Sequence, residues 1–253
     1  MAGAKREAGG EQSAARRAAR QLRTRALTLQ DGEFMGSEDE LVAALGVSRP
    51  TFRQAAKLVE QEQLMRIRRG VGGGFFAMRP SSKAVAHTTA VYLQARQSTL
   101  QDAIEASRPL FAEAARLGAT RRDKDVCAQL KDFLKGEAEA LASRPDDFRE
   151  FLRSEREFGA VFAAASGNPL LELYLLVLYD FAASLQRQSI FYKRPERMNA
   201  YRDLRNRIAR AIVDGDASLA VALSDRLTEV SVRALAEDHA DGSKRRMIRV
   251  GAG

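Results

Sequence analysis

The 253-residue chain is poor in the residue types that disulfides, metal sites and covalent catalysis use most often. It has one cysteine, Cys127, two histidines, His87 and His239, and no tryptophan. A single cysteine excludes an internal disulfide, and two isolated histidines provide no Cys–His or Ser–His–Asp constellation. No apolar run approaches the roughly 20 residues of a membrane span, and the N-terminus lacks a signal-peptide core. We therefore expect a cytoplasmic protein that is not an enzyme.

The composition is that of a globular protein with a basic surface. Hydrophobic residues make up 45% and charged residues 29% of the chain, and the formal net charge is +8 with a pI near 9.9. A positive balance of this size favours an anionic partner. Composition alone does not separate DNA from RNA or from an acidic membrane surface.

The segment from Ser37 to Pro80 has the pattern of two short helices followed by a basic β-hairpin. Apolar residues recur at nearly helical spacing on both sides of Gly46, which can end the first helix in a left-handed conformation. Ser48 is placed to cap the second helix, with Pro50 in its first turn. Two helices joined by a short glycine turn predict a helix-turn-helix, and the hairpin that follows predicts its wing.

The predicted second helix and wing carry groups that suit DNA. Arg49 and Arg53 are in the first turns of the helix, and an arginine can donate two parallel hydrogen bonds to guanine in the major groove. A glycine-rich hairpin tip that follows several arginines lets the backbone lie close to a phosphate or enter a minor groove. The glycines do not fit a P-loop, because no lysine–serine pair or helix follows them.

The stretch "SEDELVAALGVSRPTFRQAAKLVEQEQLMRIRRG" resembles the DNA-binding domain of the GntR family of bacterial transcriptional regulators. Two departures stand out. Asp39 replaces an arginine that often contacts DNA in relatives, and Pro50 replaces a frequent threonine. We therefore assign no DNA contact to position 39 and expect a different operator. The resemblance implies DNA contacts at Ser48, Arg49, Thr51, Arg53, Arg69 and Gly70.

The chain after Pro80 has the composition of a helical bundle. It lacks strand alternation, has few prolines and is rich in Ala, Leu, Arg and Glu. Short breaks between helical stretches favour an antiparallel arrangement. The predicted helices are 84–97, 100–119, 124–143, 145–165, 169–190, 195–214 and 217–239.

This second region resembles the FadR-like, FCD-type effector domain. The resemblance covers about residues 97–235 and rests on "LFAEAARLGA", "EFGAVFAAASGNPLLELY" and "RIARAIVDGDASLAVAL". It implies a homodimer whose bundle binds a small effector, often a carboxylic acid, and thereby alters DNA binding.

Most FCD domains hold a metal ion with one Asp and three His, and this chain departs from that set. The Asp position matches Glu155, and the His positions match Gly159, Arg205 and a residue near Leu227. Glycine and leucine have no lone pair for a metal, and a protonated arginine repels a cation. We therefore predict no metal and no other cofactor.

Two hypotheses follow for the region where the metal would lie. In the first, Arg205 and Glu155 face each other as an ion pair. In the second, Arg205, with Arg108, binds a carboxylate or acyl-CoA effector directly. The expected effector site comprises Arg205, Glu155 and Arg108. Arg108 is offset, because the family's recurrent arginine falls on Ser107 here.

Apolar side chains crowd the helices around the break at residues 166–168. Their expected role is core and dimer packing, and the alternative is the wall of an apolar pocket. The cluster contains Phe151, Phe158, Phe162, Leu170, Leu173, Tyr174, Leu175, Leu178, Tyr179 and Phe181.

The sequence thus predicts a mainly α protein with an N-terminal winged helix-turn-helix and a C-terminal all-α antiparallel bundle. The expected divisions are a disordered tail (1–10), a DNA-binding domain (11–80), a linker helix (81–99), an effector and dimerisation domain (100–240) and a basic flexible tail (241–253). The expected function is a homodimeric regulator, a repressor, that binds double-stranded DNA at an operator and a small effector without a metal. The alternatives are a regulator with no effector and a nucleic-acid binder without sequence preference.

Overall fold

The computed structural model describes residues 2–184 and 190–240, and side chains within 14–182 and 190–238. The described chain forms two compact units that divide between Ser81 and Ser82. The predicted basic tail at 241–253 lies outside the described residues. Each unit has its own hydrophobic core, so the two are described separately.

The first unit is a small helical domain with a three-stranded sheet. Its elements are α1 (Ala2–Thr28), β1 (Phe34–Gly36), α2 (Glu38–Leu45), α3 (Arg49–Gln61), β2 (Met65–Arg68) and β3 (Gly74–Ala77). Helix α1 includes residues 2–10, where the sequence predicts a disordered tail. Six of these nine residues are Ala, Lys, Arg or Glu, which favour helix, and the other three are glycines, which do not.

The turn between α2 and α3 forms as its sequence predicts. Ser37 and Glu40 make a reciprocal capping box at the start of α2. Gly46 ends α2 with φ +62°, a conformation that L side chains rarely adopt. Ser48 caps α3 by accepting a hydrogen bond from the Thr51 N–H. These local signals end the first helix and begin the second.

The wing is larger than the predicted hairpin. Strands β2 and β3 pair antiparallel, with Met65 opposite Ala77 and Arg68 opposite Gly74. Strand β1 joins the other edge of β3, giving the order β1-β3-β2. The sequence predicts only a connection over 30–36, because three residues are too few to show a period of two.

The core of the first unit lies between α1, α3 and the sheet. Leu22 of α1, Phe52 and Val59 of α3, and Met65 of β2 are almost fully buried. The Phe52 ring meets the Phe75 ring edge-on with centroids 5.1 Å apart. This packing turns the opposite face of α3 toward solvent.

The second unit is an α-helical bundle. Its elements are α4 (Ser82–Ala95), α5 (Leu100–Arg121), α6 (Lys124–Ser143), α7 (Phe148–Ala165), α8 (Pro169–Ser184), α9 (Pro195–Asp214) and α10 (Ala217–Ala240). The predicted fold class, a winged helix-turn-helix followed by a helical bundle, is confirmed. In the described part of the chain, no helix has the length and apolar character that crossing a membrane requires.

The core of the bundle combines aromatic side chains with many alanines. Phe158 and Phe162 of α7 stack with centroids 5.3 Å apart, and Ala114 and Ala209 are fully buried on α5 and α9. Gly159 of α7 lies directly against the ring of Tyr179 on α8. A Cβ at position 159 would lie 2.6 Å from the Tyr179 Cγ, so the two helices approach only because this residue is glycine.

We expect Gly159→Ala to destabilise the bundle by roughly 1–3 kcal/mol, since the added methyl would force the Tyr179 ring out of its position. Gly136→Ala is the matched control, because Gly136 is in the interior of α6 and a Cβ there meets nothing within 4 Å. The control should gain about 0.5–1 kcal/mol from helix propensity. Urea unfolding followed by circular dichroism measures both, and equal effects of the two substitutions would contradict the proposed contact.

Candidate functional site

The solvent face of α3 presents two arginines. Arg49 and Arg53 are exposed, while Phe52, Ala55 and Val59 on the same helix are buried. Helical spacing therefore places the two guanidinium groups opposite the core-facing stripe. Both side chains are exposed to solvent.

Each of these arginines forms an ion pair with an acid in the first turn of α2. Arg49 Nη1 lies 2.8 Å from Asp39 Oδ1, and Arg53 Nε lies 2.9 Å from Glu38 Oε1. The Arg49 and Asp39 side chains are 58% and 73% exposed, so water screens this pair strongly. Such pairs restrict the arginines weakly and can be broken by a competing phosphate.

Ser48 and Thr51 have a structural role at the start of α3. Thr51 is buried, and its hydroxyl lies 2.8 Å from the Ser48 hydroxyl. The Ser48 oxygen also accepts the hydrogen bond of the helix cap. Of the two, only Ser48 is exposed to solvent. A DNA contact by the Thr51 hydroxyl would require this arrangement to open.

The candidate residues of the wing lie at its tip. Arg69 and Gly70 are exposed between β2 and β3, and Gly70 has φ +94°. The turn closes through a hydrogen bond from the Gly73 N–H to the Gly70 carbonyl, 2.8 Å long. The first unit thus carries the six residues of the predicted DNA surface at the start of α3 and on the hairpin tip.

A network of charged side chains is buried in the bundle, and Arg205 of α9 is at its centre. Its Nη1 donates to Glu155 Oε2 of α7 at 3.0 Å, and its Nη2 lies 2.6 Å from Glu137 Oε1 of α6. The Arg205 side chain is 0% exposed. The ion pair between Arg205 and Glu155 that the sequence predicts is therefore present, with a second acid added.

Three further side chains complete this network. Arg202 Nε lies 3.1 Å from Glu137 Oε1, and the Tyr201 hydroxyl donates to Glu155 Oε1 at 3.0 Å. Ser154 accepts a hydrogen bond from Arg205 Nη2 and donates one to Glu137. Two carboxylates thus face two guanidinium groups, and their formal charges cancel. We call Glu137, Glu155, Arg202 and Arg205 the buried ion network.

Sequence reasoning missed Glu137 and Arg202. Both have a recognisable signal in hindsight. Glu137 follows Leu130, Phe133 and Leu134 on the apolar stripe of α6, where an acid needs a partner. Arg202 and Arg205 are three residues apart and therefore share one face of α9. The sequence does not reveal that Glu137 of α6 pairs with Arg202 and Arg205 of α9.

The residues at the family's metal-binding positions do not fit a metal ion. The Arg205 guanidinium already provides the positive charge between Glu137 and Glu155, and it would repel a second cation. The Tyr179 ring fills the space beside Gly159, and Leu227 is a buried hydrocarbon. Within the described residues, no group of three or more His, Cys, Asp and Glu side chains could hold a metal.

A cavity of about 130 Å³ lies beside the buried ion network. Helices α5, α7, α8, α9 and α10 and residues 190–191 contribute to its wall. Most of the wall is apolar. Its polar side chains are Ser107, Glu155, Arg156, Tyr179, Tyr201, Thr228 and Ser231.

Burial shifts the pKa values of the groups near the cavity. Loss of solvent raises the pKa of the Glu155 carboxyl, against the opposing effects of Arg205 and the Tyr201 hydroxyl. Burial also raises the pKa of Tyr179 and Tyr201 well above the usual tyrosine value, with a further increase from the Glu155 charge. Both hydroxyls are therefore neutral and able to donate hydrogen bonds.

The three predicted effector-binding residues do not meet at the cavity. Glu155 lines it, but Arg205 lies behind Glu155 without solvent access, and Arg108 is exposed on α5. Arg108 Nε instead donates to Asp225 on α10 at 2.8 Å, and its neighbour Ser107 lines the cavity. The offset of one residue from the family pattern turns the arginine away from the interior.

The apolar cluster around the break at 166–168 divides between the two roles expected of it. Phe158, Phe162 and Leu175 belong to the core, whereas Leu170 and Tyr174 are exposed. Four members of the cluster line the cavity, namely Phe151, Leu178, Tyr179 and Phe181.

Known proteins share this architecture. The family model described as the FCD domain matches residues 102–229, just over half of the chain. The Uxu operon regulator of Haemophilus influenzae is 30% identical over 146 residues, which cover 55% of this chain and 49%, about half, of that protein. The solved structure of a GntR protein from Streptococcus agalactiae matches with a TM-score of 0.66 and 17% identity, over 87% of this chain and 99% of that one.

We expect Arg205→Ala to destabilise the bundle by about 3–5 kcal/mol, because it leaves Glu137 and Glu155 buried without their shared cation. Arg108→Ala is the control, since it removes the same charge from an exposed ion pair and should leave the unfolding midpoint nearly unchanged. Chemical unfolding of both variants makes the comparison. Similar midpoints for the two variants would show that the network contributes little.

Proposed function

The chain belongs to the FCD-domain branch of the GntR family of transcriptional regulators, and from this premise we propose that it binds an operator in double-stranded DNA through α3 and the wing. The observation that carries the proposal is the exposure of Arg49 and Arg53 on one face of α3 while the other face is buried. A helix of this kind can enter the major groove with its N-terminal side chains toward the bases. We propose a cytoplasmic location, where a bacterial regulator meets its operator.

The wing supports a second contact with the duplex. Arg69 and Gly70 are at an exposed hairpin tip, where a short backbone and one guanidinium group can approach a phosphate or the minor groove. Arg66 and Arg68 on β2 add positive charge nearby. We propose that the wing positions the domain and that Arg49 and Arg53 read the sequence.

We propose further that the regulator acts as a homodimer and a repressor. Two copies of α3 would read two half-sites about one helical turn apart, which predicts a short palindrome. A dimer bound over a promoter would exclude the polymerase. Light scattering of the purified protein and a reporter gene placed behind the selected operator test the two parts separately.

The bundle cavity is where we propose that a small effector binds. Of the residues that the sequence suggests for this role, Glu155 lines the cavity wall, while Arg205 acts on the effector only through Glu155. Helix α8 lines the cavity with Tyr179, and the next residue, Asp180, accepts a hydrogen bond from Ser82 at the start of α4. A change at the cavity could therefore reach α4, the first helix after the wing.

We expect Arg49→Ala and Arg53→Ala each to weaken operator binding by roughly 1–3 kcal/mol for every base that the arginine would otherwise bind. The operator is first obtained by selection from random DNA with the full chain. Titration at several salt concentrations then gives the affinity and the number of phosphates neutralised. The substituted arginines should change affinity for the operator more than affinity for unrelated DNA.

Arg116→Ala provides the charge-matched control, because Arg116 forms an exposed ion pair in the bundle. It removes one positive charge and should leave operator affinity unchanged. Wild-type affinity in both α3 variants would refute the proposed reading helix. Equal weakening for operator and unrelated DNA would instead indicate a nucleic-acid binder without sequence preference.

Asp39→Asn tests the ion pair that restrains Arg49. The substitution removes a negative charge beside the proposed phosphate surface and releases the guanidinium group, so we expect affinity for DNA to rise by up to about five-fold. The gain should be larger at low salt, where charge repulsion is screened least. Asp123→Asn in the bundle, far along the sequence and at a helix cap, is the control for charge alone. Weaker binding by Asp39→Asn would show that Asp39 instead holds Arg49 in its reading position.

A further inference from the structure

We propose that the bundle cavity selects an uncharged molecule about as large as one aromatic ring, with a single group that hydrogen-bonds to the Tyr179 hydroxyl. The inference rests on the proposed effector role of the cavity and specifies the chemical class of the effector. It departs from the carboxylate or acyl-CoA that the family resemblance suggests.

The size of the cavity limits the ligand. Its volume of about 130 Å³ is close to the roughly 150 Å³ of an engineered apolar cavity that holds one benzene molecule. A ring with one short substituent fits this space. The acyl chain and nucleotide of an acyl-CoA are several times larger and would have to remain outside.

The wall requires most of the ligand to be apolar. Leu100 and Ile104 of α5, Phe151 of α7, Leu178 of α8 and Leu227 of α10 all line the cavity. Side chains from four helices therefore surround the ligand with hydrocarbon. Burial of an apolar ring against them supplies the driving force, in proportion to the area removed from water.

The Tyr179 hydroxyl provides a specific polar contact. Tyr179 lines the cavity and is 7% exposed, and its hydroxyl has no hydrogen-bond partner among the described residues. A buried hydroxyl without a partner is costly, and most native structures avoid it. The Tyr201 hydroxyl, by contrast, is already bonded to Glu155. A ligand hydroxyl or amide would satisfy Tyr179 as both donor and acceptor.

The charges around the cavity disfavour an anionic ligand. Two charged residues, Glu155 and Arg156, line the cavity wall, and of these only Glu155 is buried. Its carboxylate would repel the carboxylate of a bound ligand. Arg205 offsets this repulsion only in part, because its guanidinium group lies behind Glu155 and is shared with Glu137. Arg156 also lines the wall but is exposed, so solvent screens its attraction for an anion.

A cationic ligand would meet only a carboxylate whose oxygens are already bonded, one to Arg205 and the other to the Tyr201 hydroxyl. The two acids of the buried ion network, Glu137 and Glu155, are balanced by Arg202 and Arg205. A cation entering the cavity would lose its hydration without gaining an unpaired carboxylate. An uncharged head group avoids both costs.

Three probes with the same ring and different charge test the proposal. Benzyl alcohol, benzylamine and benzoate are titrated into the full-length protein by calorimetry, and their effect on the melting temperature is recorded. We expect saturable binding and stabilisation with benzyl alcohol, weaker binding of benzylamine and none of benzoate. Benzoate binding as tightly as the alcohol would overturn the charge argument, and no binding by any probe would overturn the proposal as a whole.

Tyr179→Phe isolates the hydroxyl contact. We expect it to reduce affinity for benzyl alcohol about 2- to 12-fold, the range for one neutral hydrogen bond, and to leave affinity for toluene unchanged. Tyr174→Phe is the matched control, because Tyr174 is exposed on the same helix and does not line the cavity, so neither affinity should change. Equal affinity of the wild type and Tyr179→Phe for the alcohol would refute the assigned contact. Because removal of the hydroxyl affects only the alcohol, a general folding defect would be recognised by its effect on toluene.

The outcome is separable from that of the proposed DNA-binding function. None of these titrations contains DNA, so failure of the probes would leave the operator experiment untouched. If benzyl alcohol binds but does not change operator affinity, the ligand class stands and the regulatory link between cavity and DNA fails. If operator selection fails while the probes bind, the regulator assignment fails and the cavity assignment stands.

Discussion

The bundle depends on one buried guanidinium group. Arg205 is 0% exposed and joins α9 to α6 through Glu137 and to α7 through Glu155. Two acids buried this close would repel each other without a cation between them. Arginine suits the position because its planar group carries several donors at fixed angles and stays protonated in an apolar interior. Arg205 therefore supplies the positive charge where most relatives hold a metal ion, and the Tyr179 ring fills the space beside Gly159.

The buried ion network also determines what the neighbouring cavity can accept. Glu155 belongs to both, with one oxygen held by Arg205 and the other by the Tyr201 hydroxyl. The Glu155 carboxylate lines the cavity, whereas the Arg205 guanidinium group that pairs with it does not. An interior that is neutral as a whole thus presents a local negative group to a ligand. Packing decides this polarity, because it places one member of the ion pair in the wall and buries the other.

In the DNA-binding unit, charge pairs have a weaker role. Arg49 and Arg53 are paired with Asp39 and Glu38 at the surface, where water screens them. Exposed pairs of this kind can exchange one anion for another at little cost. The contrast with Arg205 is one of environment, since the same guanidinium group is fixed in the core and available at the surface.

Local signals in the sequence determined most of the helix boundaries. Helices α6 and α9 begin and end at the predicted residues, because caps, glycines and prolines act within a few positions of the chain. The two-helix motif, the wing hairpin and the pairing of Arg205 with Glu155 were also predicted. Strand β1 was not, because a three-residue strand is specified by its partner β3 and not by its own pattern.

Only the tertiary structure decided the composition of the candidate site. Glu137, Arg202 and Tyr179 come from three different helices, and Arg108 is turned outward although its neighbour Ser107 faces the cavity. Periodicity gives the face of a helix on which a residue lies. It does not give the residue on another helix that it will meet, because that depends on how the helices pack.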